Sequence, residues 1–336
     1  LGLPIDSRDY SEAAAVLDEL GVASVRLLTN NPRKVEGLTA AGMTVSEVIP
    51  IPTAPHLRNL GYLNTKERRL DHIRPTGSLL VNDSGFDALD ATTLLGDVTV
   101  PPDRPFVVVK AAQTVDGRIA TKGGDSKWIT GPGERRVTHA LRAACDAVMV
   151  GIGTVLKDNP QLTVRDVPGA SPLRVILDSD LRTPHDARVL DGEAATLIFT
   201  GPESDPARRE ELRRRGVRVE VINRDQEGLS VAEALHRLAE IGVGSVLVEG
   251  GSGVITSFLA SGFADRFIVS IAPTVIGKGT EAVSDLGTAR VADGIPLTNR
   301  SLLAIEDDLI LAWDVENEAM SLSDHVVDRE SREIAV

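Results

Sequence analysis

The chain has one cysteine, Cys145, among 336 residues. A single thiol forms no internal disulfide and no multi-thiolate zinc site, so the default is a cytoplasmic protein without structural zinc. Aromatic residues are scarce, at 3%. No apolar run reaches about 18 residues, which argues against a membrane-spanning helix. No basic start leads into an apolar stretch and a small-residue cleavage site, so no secretory signal is expected. Lys and Arg number 36 against 49 Asp and Glu, a net charge of −13. A chain short of basic residues is a poor partner for bulk nucleic acid. The six histidines fall in no H-E-x-x-H or related zinc spacing, and no G-x-S-x-G elbow occurs. Metal-dependent and triad-hydrolase readings are therefore weak, and no metal site is expected.

The acidity that is present is uneven. Residues 76–103 carry 5 acidic side chains and no basic one, and residues 316–336 carry 6 against 2. Residues 104–315 are close to balanced, with 29 acidic and 25 basic, so local basic groups there can still bind phosphorylated small molecules. A hydrophobic fraction of 42% is ordinary for a globular protein. The length suits about two domains, or one with an appendage.

Residues 1–74 alternate helix and strand. Ser11 caps SEAAAVLDEL and Gly21 stops it. VASVRLL reads as a strand, PRKVEGLTAAG as a helix between Pro32 and Gly42, and MTVSEVIPI as a strand running into prolines. TKERRLDHI (65–73) suggests one more, charged helix. The outcome is a small N-terminal α/β segment, marginal on its own. Residues 75–103 lack a sustained period and end in Pro101–Pro102, an acidic, partly ordered linker. From 104 to 315 the pattern is α/β. FVVVKAA, DAVMVG, LRVILD, ATLIFT, VRVEVI and GSVLVEG resemble buried parallel strands, with helices at 132–144, 206–215 and 230–241. The end, with FADRFIVSIAP, SLLAIEDD and LILAWDV, lacks long helices, so a mixed, mainly parallel sheet with an antiparallel finish is expected. Residues 316–336 form a polar tail.

In an open parallel sheet, ligands gather at the carboxyl ends of the strands. Two glycine-rich exits lie there. VMVGIGTVLKDNP offers Gly151 and Gly153 with Thr154 and Asp158 as polar partners. VLVEGGSGVITSFL sets Gly250, Gly251, Ser252 and Gly253 between a strand and an apolar helix, whose first N–H groups can cradle a pyrophosphate. Neither is a G-x-G-x-x-G fingerprint, because Leu156 and Thr256 stand at the third-glycine places. Tight strand–helix turns are the competing account. Glu249 and Lys110 sit in buried-looking strand contexts, where an ionised group needs a partner or a task. A structural ion pair or a snorkelling edge residue is the alternative. Trp128, in SKWITGP, suits stacking on a flat ring, although a lone Trp is more often core. Arg142 and Arg165 flank the first glycine-rich exit and suit a phosphate, with surface ion pairing as the alternative. RREELRRRG (208–216) reads as a solvated helix face.

A coordinated series of motifs now carries a resemblance. RPFVVVKAAQTVDGRIAT, GDSKWITGP, LRAACDAVMVGIGTVLKDNPQLTVR, RVILDSDLRTP, LVEGGSGVITSFL and IAPTVIGKG make residues 104–315 similar to the reductase domain of bacterial riboflavin biosynthesis. That resemblance implies a dihydrofolate-reductase-like fold. It implies NADPH-dependent reduction of 5-amino-6-(5-phosphoribosylamino)uracil to its ribitylamino product. It puts Ala112, Trp128, Thr154, Asp158 and the backbone of 250–253 at the cofactor. It puts Ser126, Arg142, Leu162, Arg165 and Glu249 at the phosphoribosyl substrate, with Lys110 nearby. Lys110 and Glu249 are the candidate catalytic acids, and Ser179 and Arg182 candidates for a cofactor 2′-phosphate. Asp116–Gly117 matches a family signature whose role is expected to be a turn. A homodimer is expected from related reductases, with association to other riboflavin-pathway enzymes.

The zinc deaminase that precedes this domain in bifunctional relatives needs H-x-E…P-C-x-x-C, which one cysteine excludes. Residues 3–73 instead resemble the C-terminal segment of GTP cyclohydrolase II, through DSRDY, LGVASVRLLTNNPRKVEGL and YLNTKERRLDH. Asp6 and Arg8 match its catalytic positions, and Thr29 and Lys34 its GTP-binding positions. Its zinc cysteines are missing, so this piece is expected to be vestigial or cut from a longer fusion, and the Leu1 start favours the cut. Two other readings stand beside the first. One is a reductase of the same fold acting on the undeaminated 2,5-diamino substrate; the other is a non-catalytic nucleotide-binding scaffold.

Overall fold

The computed structural model describes residues 10–29, 31–49, 94–96, 98–225 and 228–316. The helix expected at 65–73, most of the 75–103 linker, residues 317–336, and Asp6 and Arg8 lie outside the described residues.

The N-terminal segment is a β–α–β unit preceded by a helix: α1 (Ser11–Glu19), β1 (Ser24–Leu28), α2 (Pro32–Ala40) and β2 (Thr44–Ile49). Its two strands pair in parallel around a small core of Ala14, Leu38 and Met43. Ser11 is the first helical residue rather than the cap. Tyr10 holds the cap position and makes no side-chain capping bond, so α1 begins one residue earlier than a hydroxyl cap would set it. Asn31 does cap α2, accepting the Arg33 N–H at 3.0 Å, with Pro32 in the first turn.

The rest is built on a nine-stranded mixed sheet. The strands are β3 (Phe106–Thr114), β5 (Ala147–Gly151), β6 (Leu173–Leu177), β7 (Thr196–Thr200), β8 (Arg218–Val221), β9 (Ser245–Val248), β10 (Arg266–Ala272), β12 (Leu297–Ile305) and β13 (Asp308–Val315), and β4 (Arg118–Thr121) and β11 (Gly279–Glu281) form a separate antiparallel pair. The order across the sheet is β12-β13-β10-β3-β9-β5-β6-β7-β8. All neighbours from β10 to β8 pair in parallel, while β13 runs antiparallel to both β10 and β12. This is the mixed, mainly parallel sheet flanked by helices that the apolar runs imply.

Both faces are covered, which is why β5 and β7 are buried along their whole length. On one face α6 (Val231–Glu240) and α7 (Ser252–Ala260) supply Leu235, Leu238, Ile255 and Phe258 against Val107, Val109 and Leu197. On the other, α3 (Pro132–Ala144) sets Val137, Ala140, Leu141 and Ala144, at helical spacing, against Phe106 and Val108. Farther along that face, α4 (Ile152–Asp158) and α5 (Pro206–Arg214) cover Val148, Val150 and Ile198. Burying an aromatic such as Phe199 or Phe258, both at 0% exposure, stabilises by about 2–3 kcal/mol.

Part of the stretch read as a linker belongs to this core. Leu94 and Leu95 are fully buried beside Phe106, Leu141 and Ile310. The buried Arg266 ties them down, donating to the Leu94 carbonyl at 2.8 Å and to Asp314 at 2.6 Å. Arg104 forms a two-point pair with Asp265 at 2.6 and 2.8 Å, and Asp265 also accepts the Val107 N–H at the start of β3. Among the described residues no helix is long and apolar enough to cross a membrane.

Candidate active site

The chain moves outward from β5 through β6 and β7 to β8, then returns to insert β9 between β3 and β5. This reversal opens a crevice at the carboxyl ends of the strands, the general location of ligand sites in such sheets. A cleft of about 2120 Å³ occupies it. Lys110, Ala112, Ser126, Thr154, Asp158, Glu249 and residues 250–253 all line this cleft.

Its two glycine-rich walls touch each other. Gly151 and Gly251 are the N-caps of α4 and α7, and the Gly251 N–H donates to Thr154 Oγ1 at 3.1 Å. Their glycines serve different ends. A Cβ on Gly151 or Gly250 falls 2.7 Å from Val254, so those two are required by packing. A Cβ on Gly153 or Gly253 meets nothing within 4 Å, so there the missing side chain leaves open space. No side chain caps the first turn of α7.

At the cleft floor, Lys110 and Glu249 are both held by partners. Lys110 Nζ lies 2.6 Å from Glu134 Oε1, and both side chains are buried. Glu134 also accepts from the hydroxyls of Thr130 at 2.8 Å, Thr138 at 3.0 Å and Ser270 at 2.8 Å. Burial pushes its carboxyl up, but Lys110 and the Ser270 and Thr130 hydroxyls outweigh it and hold the group down at about 2. Glu249 is clamped by Arg142, which donates Nε at 2.7 Å and Nη2 at 2.6 Å and gives Nη1 to the Thr163 carbonyl at 3.2 Å. Burial works against the Arg142 charge, and Glu249 more than restores it.

Other residues singled out in the sequence fall at different places. Ser126 donates to Asp158 at 3.0 Å across the cleft mouth. Trp128 does not line this cleft. It is 74% exposed, stacks 4.4 Å from the Arg135 guanidinium and borders a smaller recess with Pro273 and Glu306. Arg142, Leu162 and Arg165 are not among the residues lining the cleft, and Arg142 meets it through Glu249. Arg165 donates its guanidinium to Thr163 Oγ1 at 2.7 Å and its backbone N–H to His139 Nδ1 at 3.0 Å. Its guanidinium pKa is lowered by burial and by the neighbouring Arg142 charge, so the two cations stand close enough to feel each other. Leu162 is buried at φ 57, and Trp128 has φ 60. Left-handed backbone at bulky residues is a strained choice that clusters at functional sites. Ser179 and Arg182 line the far part of the cleft. Asp116 makes a turn, accepting from Thr114 Oγ1 and from the Gly277 N–H at 2.7 Å. Thr29 sits in the β1–α2 turn, where its Oγ1 accepts the Asn31 N–H at 3.0 Å, and Lys34 lies in the first turn of α2.

Sequence reasoning missed Glu134 and His139. The Thr130–Glu134–Thr138 spacing, four residues each way at the start of α3, is the signal that was available for Glu134. Nothing local points to Lys110 or Ser270 as its partners. Cys145 is buried and its thiol is pushed up by that burial, so it is inert. No cluster of potential metal ligands occurs among the described residues.

The family described as RibD C-terminal domain matches residues 105–311, and the family described as GTP cyclohydrolase II matches residues 1–50. Riboflavin biosynthesis protein RibD of Aquifex aeolicus is 39% identical over 214 residues, covering 63% of this chain and 58% of that protein. The 2,5-diamino-6-ribosylamino-4(3H)-pyrimidinone 5′-phosphate reductase of Methanothermobacter thermautotrophicus is 41% identical over 219 residues, covering 63% of this chain and 99% of that protein. The chain thus spans little more than half of the first relative and nearly all of the second. Among solved structures, Acinetobacter baumannii RibD superposes with a TM-score of 0.58 at 26% identity, covering 90% of this chain and 75% of that one.

Proposed function

Because the chain belongs to the RibD C-terminal domain family, we propose that residues 104–315 form an NADPH-dependent reductase of riboflavin biosynthesis. Its substrate is 5-amino-6-(5-phosphoribosylamino)uracil, and its product the ribitylamino compound. The observation that carries this reading is the convergence of Lys110, Ser126, Thr154, Asp158, Glu249 and the 250–253 turn on one cleft.

The dinucleotide suits this cleft. The open space over Gly153 and Gly253, and the first turn of α7 with no side-chain cap, leave room and backbone donors for a pyrophosphate. Ala112, Thr154, Asp158 and residues 250–253 are the groups proposed to hold it; Trp128, stacked on Arg135 beside a separate recess, is not among them. When bound, NADPH supplies the hydride that adds to C1′.

The chain's own residues manage protons and orientation. The cyclic glycosylamine has no acceptor double bond, so its ribose must open first. The C1′–O4′ bond breaks, O4′ gains a proton, and the exocyclic nitrogen loses one as C1′=N forms. Hydride then adds to C1′ and a proton to the nitrogen. Lys110 suits proton donation, and Glu249, aligned by Arg142, suits proton acceptance from the nitrogen or a hydroxyl. Arg142 and Arg165 are proposed to anchor the phosphate, so that binding energy remote from C1′ is used for orientation. No cyclohydrolase activity is proposed for the N-terminal segment. The enzyme is proposed to work in the cytoplasm as a homodimer, alongside other enzymes of its pathway.

A second reading, reduction of the 2,5-diamino substrate before deamination, draws support from the match over 99% of the Methanothermobacter reductase. The test is NADPH and NADH oxidation by the full chain with each pyrimidine. Turnover of NADPH with the uracil substrate is expected. Preference for the diamino substrate selects the second reading. Binding of NADPH with no oxidation by either substrate overturns both and leaves a scaffold.

A further inference from the structure

Strand β3 sends alternate side chains to the α3 face. Phe106 and Val108 pack there on Val137 and Leu141, and Lys110 is the next residue on that face. A lysine needing only hydration would extend into the cleft it lines. Its Nζ instead lies 2.6 Å from Glu134. Glu134 stands in the first turn of α3, where the helix dipole favours a carboxylate. That turn is pinned by the β12–β13 hairpin: Asp308 accepts the Gly131 N–H at 2.6 Å and Glu306 accepts the Gly133 N–H at 2.9 Å. Three hydroxyls from α3, its approach and β10 complete the Glu134 shell.

Stability does not explain this pair. Even with its hydrogen bonds made, a buried ion pair is often no better than hydrophobic residues of the same volume, because desolvation offsets much of the attraction. What the pair does accomplish is geometric. We infer that Glu134 is a positioning residue, holding the Lys110 ammonium at one fixed point on the cleft floor for the reaction. The inference rests on the proposed reductase reading, and Glu134 itself touches no substrate.

The test uses the full chain, with kcat and KM measured separately and NADPH affinity followed by fluorescence. Glu134→Gln keeps the shape and can still bond the hydroxyls, so it is expected to fold, to bind NADPH and substrate as wild type, and to lose about tenfold or more in kcat. Glu134→Asp recovers part of that loss. Lys110→Met/Glu134→Leu is expected to be at least as heat-stable as wild type and to have the same kcat as Lys110→Met alone, because Glu134 acts only through Lys110. A folded Glu134→Gln with wild-type kcat overturns the inference. So does a double variant markedly slower than Lys110→Met, which also decides the matter where Glu134→Gln does not fold. A wild-type chain inactive with both pyrimidines sinks the reductase reading itself, a separate and recognisable failure.

Discussion

Acid should weaken this fold through His139 before it reaches most of the carboxylates. The imidazole is 5% exposed on α3. Its Nδ1 accepts the Arg165 N–H at 3.0 Å, so the ring proton resides on Nε2, 3.4 Å from Asp166. Protonating Nδ1 sets N–H against N–H and adds a charge beside two arginines. Burial first, then Arg142 and Arg165, hold the group down from 6.5 to about 4, with Asp166 and Glu249 opposing. The unfolded chain therefore binds the proton more readily between those values. The His139 contribution is complete above 6.5, falls with pH, and is gone below about 4. Linkage puts the loss between about pH 7.5 and about pH 5 at about 2 kcal/mol. Urea unfolding of wild type and His139→Gln across that range isolates it, because the carboxylates common to both cancel. The stability of wild type minus that of His139→Gln should fall by about 2 kcal/mol toward the acid end. A difference that stays flat, or rises as pH falls, would refute the reasoning.

Three further outcomes are expected. Glu249→Gln keeps the side-chain shape but removes the charge that pairs Arg142, and should cost about 10²-fold in kcat/KM, measured by NADPH oxidation; unchanged kcat/KM removes Glu249 from the mechanism. Gly253→Ala enters open space and should leave Tm unchanged while weakening NADPH binding, whereas Gly250→Ala meets Val254 at 2.7 Å and should destabilise by about 1–3 kcal/mol. Equal effects of the two on Tm contradict that division. Leu94→Ala should cost about 2–5 kcal/mol in chemical denaturation; a cost near zero means that the segment before residue 104 is not part of the core.

Much of the architecture was legible along the chain because it is local. Runs such as DAVMVG and ATLIFT are apolar without alternation, which only a strand covered on both faces tolerates, and the helices between them carry their own spacing. Glycine-rich strand exits could be located for the same reason, since a turn records its needs in neighbouring residues. Trp128 shows where that logic stops: its motif is continuous, but its backbone turns the indole onto Arg135 and away from the large cleft.

By itself, then, the sequence determined the main strands of the central sheet, several of the helices between them, and the family of the domain. It also supplied the individual residues Lys110, Arg142 and Glu249. Only the tertiary structure decided whom they face. Lys110 meets Glu134 across 24 residues and Arg142 meets Glu249 across 107, separations at which no periodicity carries information. Those partnerships arise because β9 inserts beside β3 and α3 packs over them both, and burial then compels each charge to find an opposite charge within reach.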